Sequence, residues 1–595
     1  MTVQRGQQGS SGAIGSVPRE ELGAPEAAWI LPFASPLGAS TRPGSDDARG
    51  DGPLAGLRFA VKDNIDVAGH PTTAACPAFA RTASTHATVV QRLLDAGALC
   101  TGKTNLDQFA CGLNGTRSPF GAVPNAFDPR YVSGGSSSGS AYVVATGEVD
   151  FALGTDTAGS GRVPAGLNNI VGIKPTRGLI RCSGIVPAAQ SVDCVSIFAR
   201  TVADGARVLA SAIGHDPTDP YSRPVALQPA FWPQAFRFGV PSIREFHGDT
   251  LSQGAFESAL AQLGALGGRM ATVDYRPLAE AAALLYDSAL VAERYVAVRT
   301  FFDAHEDDVI EPVRGILAQG RRYSAADHAE ALTRLRALGQ EARAMWNDID
   351  VLVVPTAPTH CTIAAMLADP IERNRRFGYY TNFVNLLDFA AIAGPASLRT
   401  DGLPFGITLI GPAGSDFALA ALAQRFHHVT GLTAGATGRP LGEPRPLPTV
   451  SALPASGRGV RVAVVGAHLS GMPLNGQLLE RGSRLLATTR TAPIYRLYAL
   501  PGTTPAKPGL VRVAPGDGGA IEIEVWEMPE ANYGSFVAAI PAPLGIGTLT
   551  LADGSQVQGF LCESAALDGA VDITELGGWR RYVPAADGEA MTSQR

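Results

Sequence analysis

Two segments concentrate residues able to do nucleophilic chemistry. One is Ser133-Gly134-Gly135-Ser136-Ser137-Ser138-Gly139-Ser140, and the other is Gly154-Thr155-Asp156-Thr157-Ala158-Gly159-Ser160-Gly161. A hydroxyl is a weak nucleophile and needs an adjacent base to take its proton. On composition alone the first segment could be a flexible linker. It is followed, however, by the small and apolar residues Ala141 to Thr146 and then by an apolar, strand-like run that continues into the second segment. It is therefore embedded in core-forming sequence. Gly135 to Gly139 also satisfies G-x-S-x-G, the turn that presents a serine to a histidine base, but that turn needs a strong hydrophobic strand just before it. Phe127-Asp128-Pro129-Arg130-Tyr131-Val132 does not make one, and His427 and His428 sit in a helix-like run with nothing to mark them as partners.

A lysine can replace histidine as the base if burial disfavours its charged form and lowers its pKa. Lys62 ends the apolar run Leu57-Arg58-Phe59-Ala60-Val61, and Lys174 ends Ile170-Val171-Gly172-Ile173. Elementary physics does not choose between them. Either could instead lay its stem on the surface with its ammonium in water.

The elements that must hold these residues follow from periodicity. Leu57 to Val61, Asp150 to Gly154 and Asp350 to Val354 read as strands, and Thr88 to Ala96 reads as a helix with Val89, Val90, Leu93 and Leu94 on one face. Ala279 to Phe302 and Ala325 to Trp346 read as long helices. Alternation of this kind implies an α/β domain, over 51–437, whose central sheet is mixed and mostly parallel and is covered by helices. Residues 1–50 are rich in Gly, Ser, Pro and Ala and read as a poorly structured lead, with one docked segment at Trp29 to Phe33. Pro440, Pro444, Pro446, Pro448 and Pro454 mark a linker over 438–459. Beyond it, 460–595 reads as a small β-rich α+β domain. Its strand-like runs are Val460 to Val465, Ile494 to Ala499, Leu510 to Val513, Ala520 to Trp526 and Gly559 to Cys562.

The bulk numbers exclude several classes. The 595 residues are 45% hydrophobic and 17% charged, a globular balance, and the net charge of −6 leaves no global basic field for nucleic acid. Seven scattered cysteines without C-x-x-C argue against a disulfide framework or a zinc site. No H-E-x-x-H or similar cluster suggests a metal hydrolase, so no metal or other cofactor is expected. The opening residues Met1 to Gln7 carry no apolar signal core, and no run of about 18 apolar residues appears. A cytoplasmic protein is the expectation.

Three spaced motifs then carry a resemblance. Phe59-Ala60-Val61-Lys62-Asp63-Asn64, Gly134-Gly135-Ser136-Ser137 and Gly154-Thr155-Asp156-Thr157-Ala158-Gly159-Ser160 resemble the amidase signature family in order and spacing. The likeness extends over roughly 55–430 and includes Val354-Pro355-Thr356-Ala357 and Gly402-Leu403-Pro404-Phe405-Gly406. It implies a Ser–cis-Ser–Lys triad, with Ser160 as nucleophile, Ser136 as the bridging serine and Lys62 as the base in preference to Lys174. It also implies that the amides of Thr157, Ala158, Gly159 and Ser160 hold the oxyanion. Many members have glycine where this chain has Ala158, a change that would suit a small substrate.

Within the family the chain is most similar to the allophanate hydrolases. Tyr286-Asp287-Ser288-Ala289-Leu290-Val291-Ala292-Glu293-Arg294-Tyr295 resembles the helix whose Tyr and Arg bind substrate there. Tyr286 and Arg294 are about two helical turns apart and would share a face of one helix. The guanidinium fork suits a carboxylate, which allophanate carries. Ser137, Gly115 and Thr116 are further positions at which the resemblance implies substrate contact. Val465-Gly466-Ala467-His468-Leu469-Ser470-Gly471-Met472-Pro473-Leu474-Asn475 and Asn532-Tyr533-Gly534-Ser535-Phe536 resemble the extra γ-glutamyl-cyclotransferase-like domain of these enzymes. That domain is proposed in some members to decarboxylate the first product, with His468 the candidate here, and its alternative role is assembly or stability. The implied reaction is the second step of ATP-dependent urea breakdown. A biotin-dependent urea carboxylase is the implied functional partner, because no Met-Lys-Met biotin site is present. Family members are commonly homodimers. The competing readings are an amidase for another small amide, a glutaminase-type component of an RNA-dependent amidotransferase, or an inactive amidase fold used for binding.

Overall fold

The apolar runs assemble into an eleven-stranded sheet in a computed structural model, which describes residues 24–38, 52–448 and 459–583. The strand order is Trp29–Leu37, Leu99–Thr104, Arg58–Lys62, Phe151–Asp156, Cys194–Ala199, Val171–Lys174, Ala390–Leu398, Pro404–Gly411, Val351–Pro355, Phe236–Pro241 and Gly268–Val273. Every residue of Phe151–Asp156, Cys194–Ala199, Val351–Pro355 and Pro404–Gly411 is buried. Strands covered on both faces read as continuous apolar runs rather than alternating ones. The sheet is mixed. Arg58–Lys62 pairs in parallel with both its neighbours, and Phe236–Pro241 does the same at the far side. The remaining pairings are antiparallel, so the parallel share is smaller than the strand–helix alternation suggests.

Parallel pairing brings three strand C-terminal ends to one edge of the sheet. Lys62 lies opposite Thr104, and Val61 lies opposite Leu153, two residues before Thr155. The helix Ser138–Ala145 packs on this region through Ala141, Val143, Val144 and Ala145. The helix Thr88–Asp95 buries Val89, Val90 and Leu93, the face expected from its periodicity. Trp29–Leu37 is an edge strand antiparallel to Leu99–Thr104. Residues 1–23 and 39–51, which make up most of the lead read as poorly structured, lie outside the described residues, as do 449–458 of the proline-rich linker.

The continuous helix expected over Ala279 to Phe302 is corrected. The chain forms a helix Arg276–Asp287, a single 3₁₀ turn Ala289–Val291 and a second helix Ala292–Ala304. The break falls at Ser288, which is extended at φ −137 and ψ 179. Its hydroxyl donates to the Leu284 carbonyl and accepts from the Leu290 amide. Serine competes for backbone groups in this way and favours helix ends over interiors.

The chain divides into two compact units, Met1–Arg223 with Trp232–Pro448, and Pro224–Phe231 with Thr449–Arg595. The second has a five-stranded sheet ordered Arg484–Arg490, Glu522–Pro529, Gly459–Val464, Gln556–Cys562 and Leu544–Thr550, beside a three-stranded one. Its core includes Val462, Val464, Leu497, Ile523, Trp526, Phe560 and Trp579. No helix of the described residues is long and apolar enough to cross a membrane.

Candidate active site

Lys62 is 0% exposed, and its Nζ donates to Ser136 Oγ at 2.7 Å and to Thr155 Oγ1 at 2.8 Å. Burial lowers its pKa from 10.5 to about 7, against the upward pull of Asp107, Asp193 and Asp156. The rival Lys174 donates instead to the Pro175 carbonyl at 2.7 Å and to Cys194 Sγ at 3.5 Å.

Ser136 follows a cis peptide bond from Gly135, just ahead of the helix Ser138–Ala145. A side chain at Gly135 would collide with the Asp107 carboxylate, so only glycine fits there. Asp107 organises the loop that faces Ser136. Its carboxylate accepts from the amides of Asn114 at 3.1 Å, Gly115 at 3.0 Å and Arg117 at 3.0 Å, and its own amide donates to the Ser136 carbonyl at 3.1 Å.

Ser160 is 3% exposed, and its hydroxyl lies 3.5 Å from the Gly112 carbonyl oxygen. Lys62 and Ser136 are in direct contact, whereas no hydrogen bond joins Ser136 to Ser160 among the described residues. Such contacts are often loose before substrate arrives. The loop carrying Ser160 wraps around Asp156, whose carboxylate accepts from the amides of Gly159 at 2.8 Å and Gly161 at 3.0 Å. The same carboxylate is paired with fully buried Arg162, Nε to Oδ2 at 2.9 Å and Nη2 to Oδ1 at 3.0 Å. Burial would raise the Asp156 carboxyl, but Arg162, together with Lys174 and the Gly159 amide, holds the group below its ordinary value. Gly159 is at φ +130, and a side chain on it would collide with Thr381. The amide of Gly159 is thus committed to Asp156. The amides of Thr157, Ala158 and Ser160 donate to no protein acceptor among the described residues.

The Thr157 hydroxyl donates to Asp193, which burial pushes up to about 6 against the hydrogen bonds it accepts. Ala158 is buried in a cluster with Ala189, Val192, Leu285, Leu290 and, at its edge, Tyr286. Thr381 Oγ1 donates to the Ala158 carbonyl at 2.6 Å, and Asn385 Nδ2 donates to the Asp156 carbonyl at 2.7 Å.

Tyr286 and Arg294 meet, although they sit on two helices rather than on one face of one. Arg294 Nη2 donates to Tyr286 Oη at 3.1 Å, and its Cζ lies 5.0 Å from the ring centroid. Arg294 is 3% exposed, and its Nε and Nη1 have no hydrogen-bond partner among the described residues. A buried cation with free donors is costly unless an anion completes it. Tyr286 also lines a cavity of about 520 Å³ with Leu113, Arg117, Asn374 and Asn382. Ser160 is not in its wall, but Leu113 adjoins the Gly112 that Ser160 faces.

The other expected contacts are more committed. Gly115 gives its amide to Asp107, and the amide and hydroxyl of Thr116 both donate to Asn114 Oδ1 at 2.8 Å. The Ser137 hydroxyl donates to the Thr155 carbonyl at 3.1 Å. In the second unit His468 Nε2 is 2.9 Å from Gln477 Oε1, and its ring stacks on Phe560 with centroids 5.2 Å apart. Both line a cavity of about 200 Å³ that includes Lys507. Burial lowers the His468 pKa.

A family model described as "Amidase" matches residues 38–420. The chain belongs to the amidase family. Residues 460–584 match a second family, the allophanate hydrolase C-terminal domain. Urea amidolyase of Saccharomyces cerevisiae is 44% identical over 545 residues, covering 89% of this chain. The chain spans only 30% of that relative's length. A component of the glutamyl-tRNA(Gln) amidotransferase of Exiguobacterium sibiricum is 34% identical, covering 64% of this chain and 85% of the relative. Among solved structures, allophanate hydrolase of Kluyveromyces lactis superposes with a TM-score of 0.84 at 42% identity, covering 95% of this chain and 94% of that one.

Motif reading missed Asp107, Thr155, Asn374, Thr381 and Asn385. Thr155 lies inside a quoted motif, where its place at a strand end beside Lys62 was a usable signal. Asn374, Thr381 and Asn385 come from distant sequence and carry no local pattern.

Proposed function

We propose that the chain hydrolyses allophanate to ammonia and N-carboxycarbamate. The observation that carries this reading is buried Arg294, whose Nε and Nη1 are free to receive a carboxylate beside the Tyr286 hydroxyl. A planar fork of donors suits a carboxylate. Neutral Lys62 draws a proton through Ser136, and Ser160 attacks the terminal amide carbonyl. The amides of Thr157, Ala158 and Ser160 stabilise the oxyanion, where each well-placed donor is worth roughly 3–4 kcal/mol. The proton passes back through Ser136 to the leaving ammonia. Water then cleaves the acyl-enzyme by the same relay.

The product carries two carboxylates on one nitrogen, and the His468 cavity is the proposed site of its decarboxylation. The substrate comes from carboxylation of urea, the chemistry of a biotin-dependent carboxylase. We further propose a homodimer, to be read from the mass in solution. The central test is ammonia release from freshly prepared allophanate, malonamate, biuret, glutamine and acetamide, with Ser160→Ala as the blank. Preference for allophanate over all others supports the reading. Equal or faster turnover of an uncharged amide leaves the amidase chemistry standing and removes allophanate.

A further inference from the structure

The segment Ala188–Asp193 takes no part in the steps above, yet it is fixed to both halves of the site. At one end Asp193 accepts from the Thr157 hydroxyl, on the loop that leads to Ser160. Its second oxygen is held by the amides of Ala188 at 2.8 Å and Ala189 at 3.2 Å. Toward the other side, Ser191 donates from its amide to Glu293 Oε2 at 3.1 Å and from its hydroxyl to Glu293 Oε1 at 2.7 Å. Glu293 immediately precedes Arg294 on the helix Ala292–Ala304. Between these anchors Ala189 and Val192 pack with Ala158, Leu285 and Leu290. Asn385 Nδ2 ties the Val192 carbonyl at 3.0 Å to the Asp156 carbonyl at 2.7 Å.

We infer that Ala188–Asp193 is a strap that sets the distance from the Arg294 guanidinium to the oxyanion loop, with Ser191 and Asp193 as its positioning residues. A substrate gripped at its carboxylate and at its reacting carbonyl must span that distance. The strap therefore selects amides whose carboxylate stands at one fixed separation from the scissile bond. An amide without a carboxylate engages only the oxyanion loop and is indifferent to the Ser191–Glu293 clamp. This inference rests on Arg294 as the carboxylate anchor.

The test is a double-mutant cycle of Ser191→Ala with Arg294→Ala, measured as kcat and KM on allophanate and on acetamide. Misplacement of a gripped substrate should cost Ser191→Ala about tenfold on allophanate, chiefly in kcat, and less than about twofold on acetamide. On the Arg294→Ala background Ser191→Ala should add nothing, because the clamp acts through the anchor. Equal losses on both substrates, additivity with Arg294→Ala, or no loss at all would overturn the strap. If Arg294→Ala is too slow on allophanate to measure, the two-substrate comparison in the otherwise wild-type protein decides. Failure of the anchor shows separately, as an Arg294→Ala single variant that keeps its preference for allophanate. A second variant, Thr157→Val, frees the Asp193 end and should slow both substrates, with Thr157→Ser restoring the rate. No recovery in Thr157→Ser would count against the Asp193 tether.

Discussion

Lys62 can act as a base only from its neutral form. With its pKa lowered to about 7, kcat/KM should climb as pH rises through about 7 and level off above it. Lys62→Met should cost at least about 10³-fold in kcat, measured by ammonia release. The same burial has a stability consequence. Between about 7 and 10.5 the unfolded chain binds the Lys62 proton and the folded chain does not, so this group adds stability as pH rises. Lys62→Met should therefore be the more stable protein at pH 7, by a margin that shrinks at higher pH, read from urea midpoints at two pH values. A flat margin would mean that Lys62 titrates alike folded and unfolded. At this scale the pairing of Lys62 with Ser136 was legible. Lys62, Ser136 and Ser160 stand in spaced motifs, and the family resemblance ranked Lys62 above Lys174. The commitment of the Gly159 amide was not legible, because it depends on how Asp156 folds back on its own loop.

At the scale of elements, the site is held by a short loop wound around a buried ion pair. Removing one partner strands the other, so Asp156→Asn should cost about 3–5 kcal/mol in urea denaturation and sharply lower kcat. Full stability in that variant would mean that the pair does not hold the loop. Buried strands such as Val351–Pro355 were legible as continuous apolar runs. The edge strands Arg484–Arg490 and Leu544–Thr550 were missed, and their mostly exposed or half-exposed residues explain why. The helix break at Ser288 was missed as well, since the apolar period runs across it. Tyr286 and Arg294 were expected to meet through shared periodicity, and they meet instead across that break.

At the scale of the whole molecule, the chain has two units, each with its own core. If the second unit acts only on the product, His468→Ala should leave the first ammonia release within about twofold of wild type, since it lies outside the proposed triad. The same variant should slow carbon dioxide release, followed in parallel. Loss of both would tie His468 to the amidase step or to folding. The change of composition after 437 made a second unit legible, but the assignment of Pro224–Phe231 to it was not, because that grouping depends on tertiary packing. The claim that joins these levels is that an amidase centre is made selective by one buried cation. Its most direct test is the ratio of kcat/KM for allophanate to that for acetamide, in wild type and in Arg294→Ala. We expect the ratio to fall by about 10²–10³-fold, the value of a charge-assisted pair lost from a buried site, with acetamide turnover retained. An unchanged ratio would contradict the account.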